Sequence, residues 1–541
     1  MSRRFTTESG IEIDRVYRPG TGQVDYERDL GDPGNYPYTR GIHPGMYRDR
    51  FWMFRQITGH GTAKETLERA KYLRDMGGVS AEGIVPVSVY MDAAHHLGLD
   101  SDDPMARYDF GRGGVALDTL EDLQQFLSDF DLRKIHLNFQ CFQEAPALLA
   151  LYIAAARERG VPEVELKGGL ENEVFGSFIY CKQEVFPPRS AVKFAWDATE
   201  HIARYMPRFT ANVFADASYI PAGANPVQAA GITLAAAMAY VEAGLARGLA
   251  IDDFADALSF YIGTSRDFFE QIARLRALRR LWAEITRDRY GARNPRSNMA
   301  RILVRTSTRD LTAQQPLCNL IRTSIQALSA VLGGVQALTV TPYDEPICLP
   351  TEQSSLLSLR TQHIIAEETG VANTVDPLAG SYFVESLTNQ IADGIMAQVR
   401  AIEGLAAPGS ASTPALDGML KGIESGYFDA QLLASAMSLN KAVQSGERVV
   451  VGVNKYVLPP EEVPVHTVAQ ETLDKKIEDL RIFRKNRDYG KTSEYLDHLK
   501  SAAGRGENTI KPMAEAFLHK ATLGEVMSAL KEVLGSFRKR S

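Results

Sequence analysis

A (β/α)8 barrel, the TIM-barrel architecture, is the α/β fold class the sequence predicts, with an N-terminal arm and a mainly helical C-terminal extension. Between about residues 84 and 376, short β-branched or aromatic runs alternate with long stretches whose apolar residues recur at helical spacing and often close on Gly. The chain has 541 residues, 45% hydrophobic and 23% charged, enough for more than one core. Repeated βα units in this number read as a barrel more readily than as an open doubly wound sheet.

Residues 1–34 are rich in Gly, Asp and Arg and read as an arm lying on another surface. The barrel is expected over 35–400, with strands at 84–91, 134–140, 164–168, 210–215, 257–262, 301–306 and 336–341, and an eighth near 371–375. The segments 147–160, 226–248 and 266–290 carry the helical pattern. Two strands are unusual. His136, Asn138 and Gln140 share one strand face, as do Thr210, Asn212 and Phe214, where barrels normally place Val, Ile and Leu. A polar face turned inward suits a barrel that holds a polar ligand along its axis; turned outward it would bury groups in need of partners. The inward orientation is the expectation.

The region 401–541 changes character. Residues 406–412 read as a flexible connector, followed by helical stretches, a strand-like run at 448–453, a Pro-rich run at 458–465 and a charged helix at 473–488. In the last helix Leu523, Val526, Leu530 and Val533 form an apolar face that needs a partner, in this chain or another.

A net charge of −7, with acidic and basic residues interleaved, argues against nucleic acid or an anionic membrane as partner. No apolar run is expected to reach the roughly 18 residues of a membrane span, and MSRRFTTESG lacks a signal-peptide core, so a cytoplasmic protein is expected. Cys141, Cys181, Cys318 and Cys348 lie far apart without paired spacing, which suits reduced thiols better than a metal site or disulfides.

The stretch EETGVANTVDPLAGSYFVE at 367–385 ends a helix at Gly370 and turns at Asp376-Pro377 and Ala379-Gly380-Ser381. It resembles a signature of the adenosylcobalamin-dependent acyl-CoA mutases, radical isomerases. Further blocks resemble their large, substrate-binding subunit in the same order: YERDLGDPGNYPYTRG, GMYRDRFWMFRQITGHGTAKET, LDSDDPMA, GVALDTLEDL, RLWAEI, LTAQQP, AVLGGVQAL, GERVVVGVNKYV and GENTIKPMAEAFLHKATLGEV. The resemblance covers nearly the whole chain. It implies a barrel that threads the pantetheine arm of acyl-CoA along its axis and meets cobalamin at one mouth. The Asp-x-His-x-x-Gly motif of the flavodoxin-like cobalamin module does not occur: Asp92, His95 and Gly98 have the wrong spacing. Adenosylcobalamin is therefore expected on a separate small subunit facing the C-terminal helices. A homodimer of large subunits within a heterotetramer and a GTPase chaperone are the further partners the resemblance brings into view.

The resemblance also implies site residues. Met46, Arg50, Arg55 and Ile57 fall on the N-terminal substrate block; Arg50 matches an arginine that contacts CoA, where a guanidinium fork suits phosphate. Ile57 stands where the methylmalonyl enzymes have tyrosine and resembles the 2-hydroxyisobutyryl type, favouring a different acyl shape. Ser218 occupies the place of the histidine that hydrogen-bonds the thioester carbonyl, with Tyr219 as a substitute donor. Lys193 stands for the arginine that holds a substrate carboxylate, and Glu171, in place of a glutamine, is expected to neutralise it. Gln140, Leu303, Arg305 and Ala257 also depart from the family's types, Arg305 with a catalytic role. Ser88, Ser259 and Gln336 keep them, and Tyr90 and Met91 join the substrate set. Glu345 matches the glutamate that binds ribose, with Thr341 in place of an asparagine and Gly59 beside the cofactor. These changes read as a mutase remodelled for a short branched or hydroxylated acyl-CoA, although Tyr90 stands near an aspartate of the hydroxyacyl enzymes. The alternatives are a catalytically silent scaffold or a mutase for a dicarboxylic acyl-CoA held by Lys193.

Overall fold

A computed structural model describes the chain except residues 1–4, 22–23, 81, 107–110, 112, 408, 410–412, 460–462 and 538–541. Parts of the expected connector at 406–412 and of the Pro-rich run at 458–465 thus lie outside the described residues. The chain forms two compact units, one from Met1–Phe54 and Phe214–Pro464, the other from Arg55–Val213 and Val465–Ser541.

The strands are β1 (Met53–Arg55), β2 (Ile57–Thr58), β3 (Val85–Tyr90), β4 (Ile135–Gln140), β5 (Lys167–Leu170), β6 (Phe209–Thr210), β7 (Asn212–Ala215), β8 (Leu258–Thr264), β9 (Ile302–Thr306) and β10 (Ala337–Thr339). They make two five-stranded sheets, ordered β1-β10-β9-β8-β7 and β2-β3-β4-β5-β6. Pairing is parallel along β2 to β6 and along β8 to β10. The α/β class is as expected, and each sheet by itself has the strand order of half of such a barrel.

Some expected elements differ. Residues 371–375 form turns; the additional strand is the pair β1 and β2, separated by Gln56. The candidate at 164–168 begins as a 3-10 turn, Glu163–Glu165, and pairs only from Lys167 onward, in KGGL. The run at 448–453 makes one isolated bridge, Val451 with Lys455, because Gly452 takes a left-handed turn (φ +82°).

In the first unit, the helix Pro226–Ala246 starts with a capping box between Asn225 and Gln228 and Pro at its first turn. Contrary to the expectation, it is long and apolar enough to cross a membrane; it is mostly buried inside the protein, as a core helix. Gly231 lets the helix Tyr382–Glu403 approach closely, since a Cβ there would lie 2.5 Å from Gln398 Cβ. The helix Phe268–Glu284 completes this layer, Trp282 meeting Phe260 of β8 edge-on at 5.2 Å. Its Arg276, fully buried, binds both Asp376 and Glu385.

In the second unit, Tyr152 of the helix Ala145–Glu158 lies against Phe139 of β4 and Phe209 of β6. The apolar face of the last helix, Leu523–Leu534, finds its partner in this unit: Leu523, Val526 and Leu530 are fully buried, while Val533 is exposed. Asp100 anchors that helix, accepting from the Gly524 amide (2.7 Å), the Thr522 hydroxyl (2.5 Å) and Arg484 (2.6 Å). A Cβ at Gly524 would lie 2.6 Å from Asp100 Cγ.

Arg276→Ala is expected to destabilise the first unit by about 3–5 kcal/mol, because it strands the buried Glu385 carboxylate without a cation and leaves Asp376 only the longer contact with Arg40. Thermal unfolding would show it as a lowered midpoint. A loss under about 1 kcal/mol, the range of an exposed ion pair, would contradict this account.

Candidate functional site

On the second unit, the parallel register places Ile57 beside Ser88, Ser88 beside Asn138, Asn138 beside Gly169 and Gly169 beside Thr210, one row across β2 to β6. Two residues further along, Tyr90 pairs with Gln140. Phe139 turns the other way, to Tyr152 of the helix layer. The polar face of β4 therefore points away from the helices, as expected. For the other polar strand the expectation holds only in part: Phe214 packs on Tyr240 and Phe260 at 5.7 and 5.8 Å, so it belongs to the helix side.

Gly169 keeps the row open at its middle, where a Cβ would meet Asn138 Oδ1 at 2.9 Å and Thr210 Cβ at 3.1 Å. Arg55 is buried and donates through Nε to Ser88 Oγ at 2.9 Å, with a second donation from Nη2. It is thus a cation held in the row, not a surface group awaiting a phosphate. Asn138 meets His136 Nδ1 at 2.9 Å, and the ring of Tyr90 meets His96 edge-on at 5.2 Å.

Other expected members of the set lie elsewhere. Lys193 is exposed on the helix Pro188–Tyr205, whose buried face is Ala191, Val192, Phe194 and Ala195, and its Nζ lies 3.5 Å from the position of a Cβ on Gly506. Glu171 is buried at the end of β5. Burial, together with the charges of Glu171, Glu144 and Glu173, pushes the Cys181 thiol well up, in keeping with a reduced thiol. Met91 follows Tyr90 onto the opposite face, with Val87 and Val89, fully buried. Gly59 (φ +150°) is a packing glycine: a Cβ would lie 2.6 Å from the Tyr90 carbonyl oxygen.

On the first unit, Arg305 sits between Thr339 and Gly263 in register. Its guanidinium donates to Thr341 Oγ1 (3.3 Å) and pairs with Glu345, both side chains partly exposed. Thr341 in turn donates to the Thr306 carbonyl at 2.6 Å. Three residues expected in separate catalytic and cofactor roles thus form one cluster at the C-terminal ends of β9 and β10. Gly263 brings the fourth member near, since a Cβ there would lie 2.9 Å from Ala217 Cα. Ser218, next in the chain, is half-buried, and Tyr219 fully buried.

The turn bearing Ser218 is held from below by a pair that the sequence did not announce. Asp216 accepts from Arg274 and from the Gly263 amide, both at 2.7 Å, and all of these groups are buried. Burial outweighs the attraction of Arg274 and pushes the Asp216 carboxyl up to about 6.

At the opposite ends of the same strands lie half-buried Ser259 and Gln336 and exposed Arg50. Gln336 accepts from the Ile302 amide at 2.8 Å. At this end, partial desolvation, then the charges of Arg50 and Arg301, hold His43 below its ordinary value against the opposing charge of Asp49. Met46 does not join it: its side chain packs on Gly41 and Gly334 beside buried Arg279.

A family model described as methylmalonyl-CoA mutase matches residues 6–536. Among similar proteins, the 2-hydroxyisobutanoyl-CoA mutase large subunit of Aquincola tertiaricarbonis is 36% identical over 538 residues, 99% of this chain and 93% of its own length. Methylmalonyl-CoA mutase of Cereibacter sphaeroides is 37% identical over 540 residues, 99% of this chain and 73% of its own. The mitochondrial methylmalonyl-CoA mutase of Homo sapiens is 34% identical over 535 residues, 98% and 69%.

The raised Asp216 value carries a signed pH dependence. Between its ordinary 3.8 and about 6, the folded chain keeps a proton that the unfolded chain has released. The stability it contributes is complete below the lower value and lost as pH rises through the upper one. The melting temperature of the unsubstituted chain minus that of Asp216→Asn should therefore fall across that window and level off above it. A flat or rising difference would refute the assignment.

Proposed function

The chain belongs to the methylmalonyl-CoA mutase family, and from that premise we propose that it is the large subunit of an adenosylcobalamin-dependent mutase for a short branched or hydroxylated acyl-CoA. The isobutyryl and 2-hydroxyisobutyryl thioesters are the preferred substrates, ahead of methylmalonyl-CoA. One observation carries this choice: Lys193, expected to hold a substrate carboxylate, lies exposed on its helix, while Glu171, expected to neutralise it, is buried at the end of β5. A second carboxylate on the substrate would meet a carboxyl group there and no cation of Lys193. Ile57, at the edge of the polar row, offers apolar surface to a branched acyl group.

The long-ligand reading rests on the first unit. Positive Arg50 lies at one end of its strands and Ser218, Arg305 and Glu345 at the other, an arrangement that suits a ligand with phosphates at one end and a thioester at the other. Bound cobalamin supplies abstraction and return of a hydrogen atom. Glu345, with a carboxylate oxygen committed to Arg305 and its side chain partly exposed, fits an acceptor for a nucleoside hydroxyl. The Ser218 hydroxyl donates one hydrogen bond to the thioester carbonyl. The cobalamin is carried by a small subunit, in keeping with a relative that is named a large subunit and matched over 93% of its length.

The test combines the full chain, a cobalamin-binding small subunit, adenosylcobalamin and a panel of acyl-CoAs, reading product masses and cobalt(II). The expected kcat/KM for a branched or hydroxylated substrate exceeds that for methylmalonyl-CoA at least about tenfold, the discrimination one misfitted group commonly gives. Equal or greater activity on methylmalonyl-CoA would reject the substrate assignment. Ser218→Ala should lower kcat by roughly 10- to 100-fold, somewhat less than loss of a full oxyanion donor.

A further inference from the structure

The turn that carries Ser218 is gripped not only from below but also from the N-terminal arm. Residues 6–12 fold back on themselves, with a bridge between Thr6 and Glu12. The Glu8 amide donates to Asp267 (3.1 Å) and Glu270 (3.0 Å), and the Ser9 amide to Glu270 (3.1 Å), which fixes the arm on the first turn of the helix Phe268–Glu284. The Glu8 side chain then turns inward, its carboxylate only 3% exposed. One oxygen takes Arg309; the other takes Arg448 at 2.9 Å and the Ser265 hydroxyl at 2.9 Å.

Arg309 is the link to the turn. While one guanidinium nitrogen binds Glu8, the other donates to the carbonyls of Ala224 (3.3 Å) and Ile220 (3.5 Å). The same arm holds the far side of the turn, since Ser9 Oγ accepts from the Val227 amide at 3.1 Å. Within the turn, the amides of Ala222, Gly223 and Ala224 bond back to the carbonyls of Ser218, Ile220 and Tyr219. The grip on the carbonyls of Ile220 and Ala224 therefore transmits directly to Ser218.

Arg309 also has a competing anion. Asp310 lies 3.6 Å from its Nε, beside Arg266. Without the charge of Glu8, the guanidinium is drawn toward Asp310 and away from the turn. A neutral side chain of the same shape cannot replace the carboxylate in this role.

We propose that Glu8 is a positioning residue, which through Arg309 fixes the 216–224 turn and hence the direction of the Ser218 hydroxyl. The functional consequence rests on the reading that Ser218 serves the thioester; the mechanical link does not. Glu8 touches no reacting atom and acts at a distance of 301 sequence positions from Arg309.

Hydrogen exchange of the full chain, read peptide by peptide, tests the link without any turnover. In Glu8→Gln and in Arg309→Lys, which keeps the charge but cannot fork, the Ala222 to Ala224 amides should exchange at least about tenfold faster, the effect of losing one charged hydrogen bond. Amides of the helix Tyr382–Glu403 should keep their rates. With the small subunit, cofactor and acyl-CoA, the same variants should lose kcat at least about tenfold with KM within about twofold, as for a contact made only in the transition state. Unchanged turn amides in both variants would overturn the proposal, and so would faster exchange throughout the unit, which marks a merely structural residue. Should the unsubstituted chain turn over no acyl-CoA, the proposed function fails while the exchange result still decides the mechanical link.

Discussion

The first unit is organised around the buried guanidinium of Arg276. Taking that charge out of water is costly, and it is compensated only because two carboxylates converge on it from one short stretch of chain, Asp376 from a turn and Glu385 from the helix that follows. Arg40 adds a second cation to Asp376, and the Gly380 amide donates to Glu385 at 3.0 Å. The same clasp explains the backbone. Asp376 has φ +48°, an uncommon value for a residue with a Cβ, and it is tolerated where the side chain is pinned on both sides. The DPLAGSY signature is therefore a fastening between two helices of the outer layer. Asp376 and the Gly380 amide are the members of that stretch that take part, and neither touches the polar strand residues of the candidate site.

Legibility in the sequence followed the physics of each element. Strands β3, β4, β8 and β9 combine β-branched or aromatic residues with a buried alternate face, and their patterns are explicit. The pair β1 and β2 is not, because Arg55 and Gln56 interrupt it with side chains whose partners come from elsewhere in the fold, Ser88 in the case of Arg55. The run VANTV at 371–375 has strand composition but lies between a helix end and the Arg276 clasp, and the clasp decides its conformation. KGGL has no strand propensity at all; it pairs because its glycines leave room for the neighbouring strands, Gly168 lying where a Cβ would meet the Leu137 carbonyl oxygen at 1.8 Å.

The placement of candidate residues was legible where position along the chain also fixes the direction of a side chain. Ser88, Gln140 and Arg305 lie on strands, so their faces follow from alternation. Lys193 lies on a helix, where matching a block in sequence leaves the facing undetermined by a full turn, and the structure exposes it. Met46 and Gly59 fall within matched blocks but serve packing. Asp216 with Arg274, and Glu8 with Arg309, are 58 and 301 positions apart, so no local pattern could pair them. What could have drawn notice was the arginine-rich helix RLRALRR, in which Arg274, Arg276 and Arg279 are all almost fully buried and each must therefore find a partner.

These separations explain how a fixed frame can coexist with variable strand side chains. The clasp on Arg276 and the glycine contact at Gly231 in the first unit, and the anchor at Asp100 with Gly524 in the second, lie in helices and turns, not on strands. In each unit polar side chains of the strands and strand ends bond to one another, Arg55 with Ser88 in the row of the second unit and Arg305 with Thr341 and Glu345 in the first. Changing one of them redistributes hydrogen bonds within its own cluster and leaves the helix layer packed on the opposite strand face. Arg305 shows the cost of such a change: its charge is matched by committing an oxygen of Glu345, so a ligand hydroxyl that uses this carboxylate must share it with the guanidinium. The strand clusters are thus free to vary, whereas the turn bearing Ser218 is not, because Asp216, Arg274, Arg309 and Glu8 tie its position to the same helices that the signature fastens.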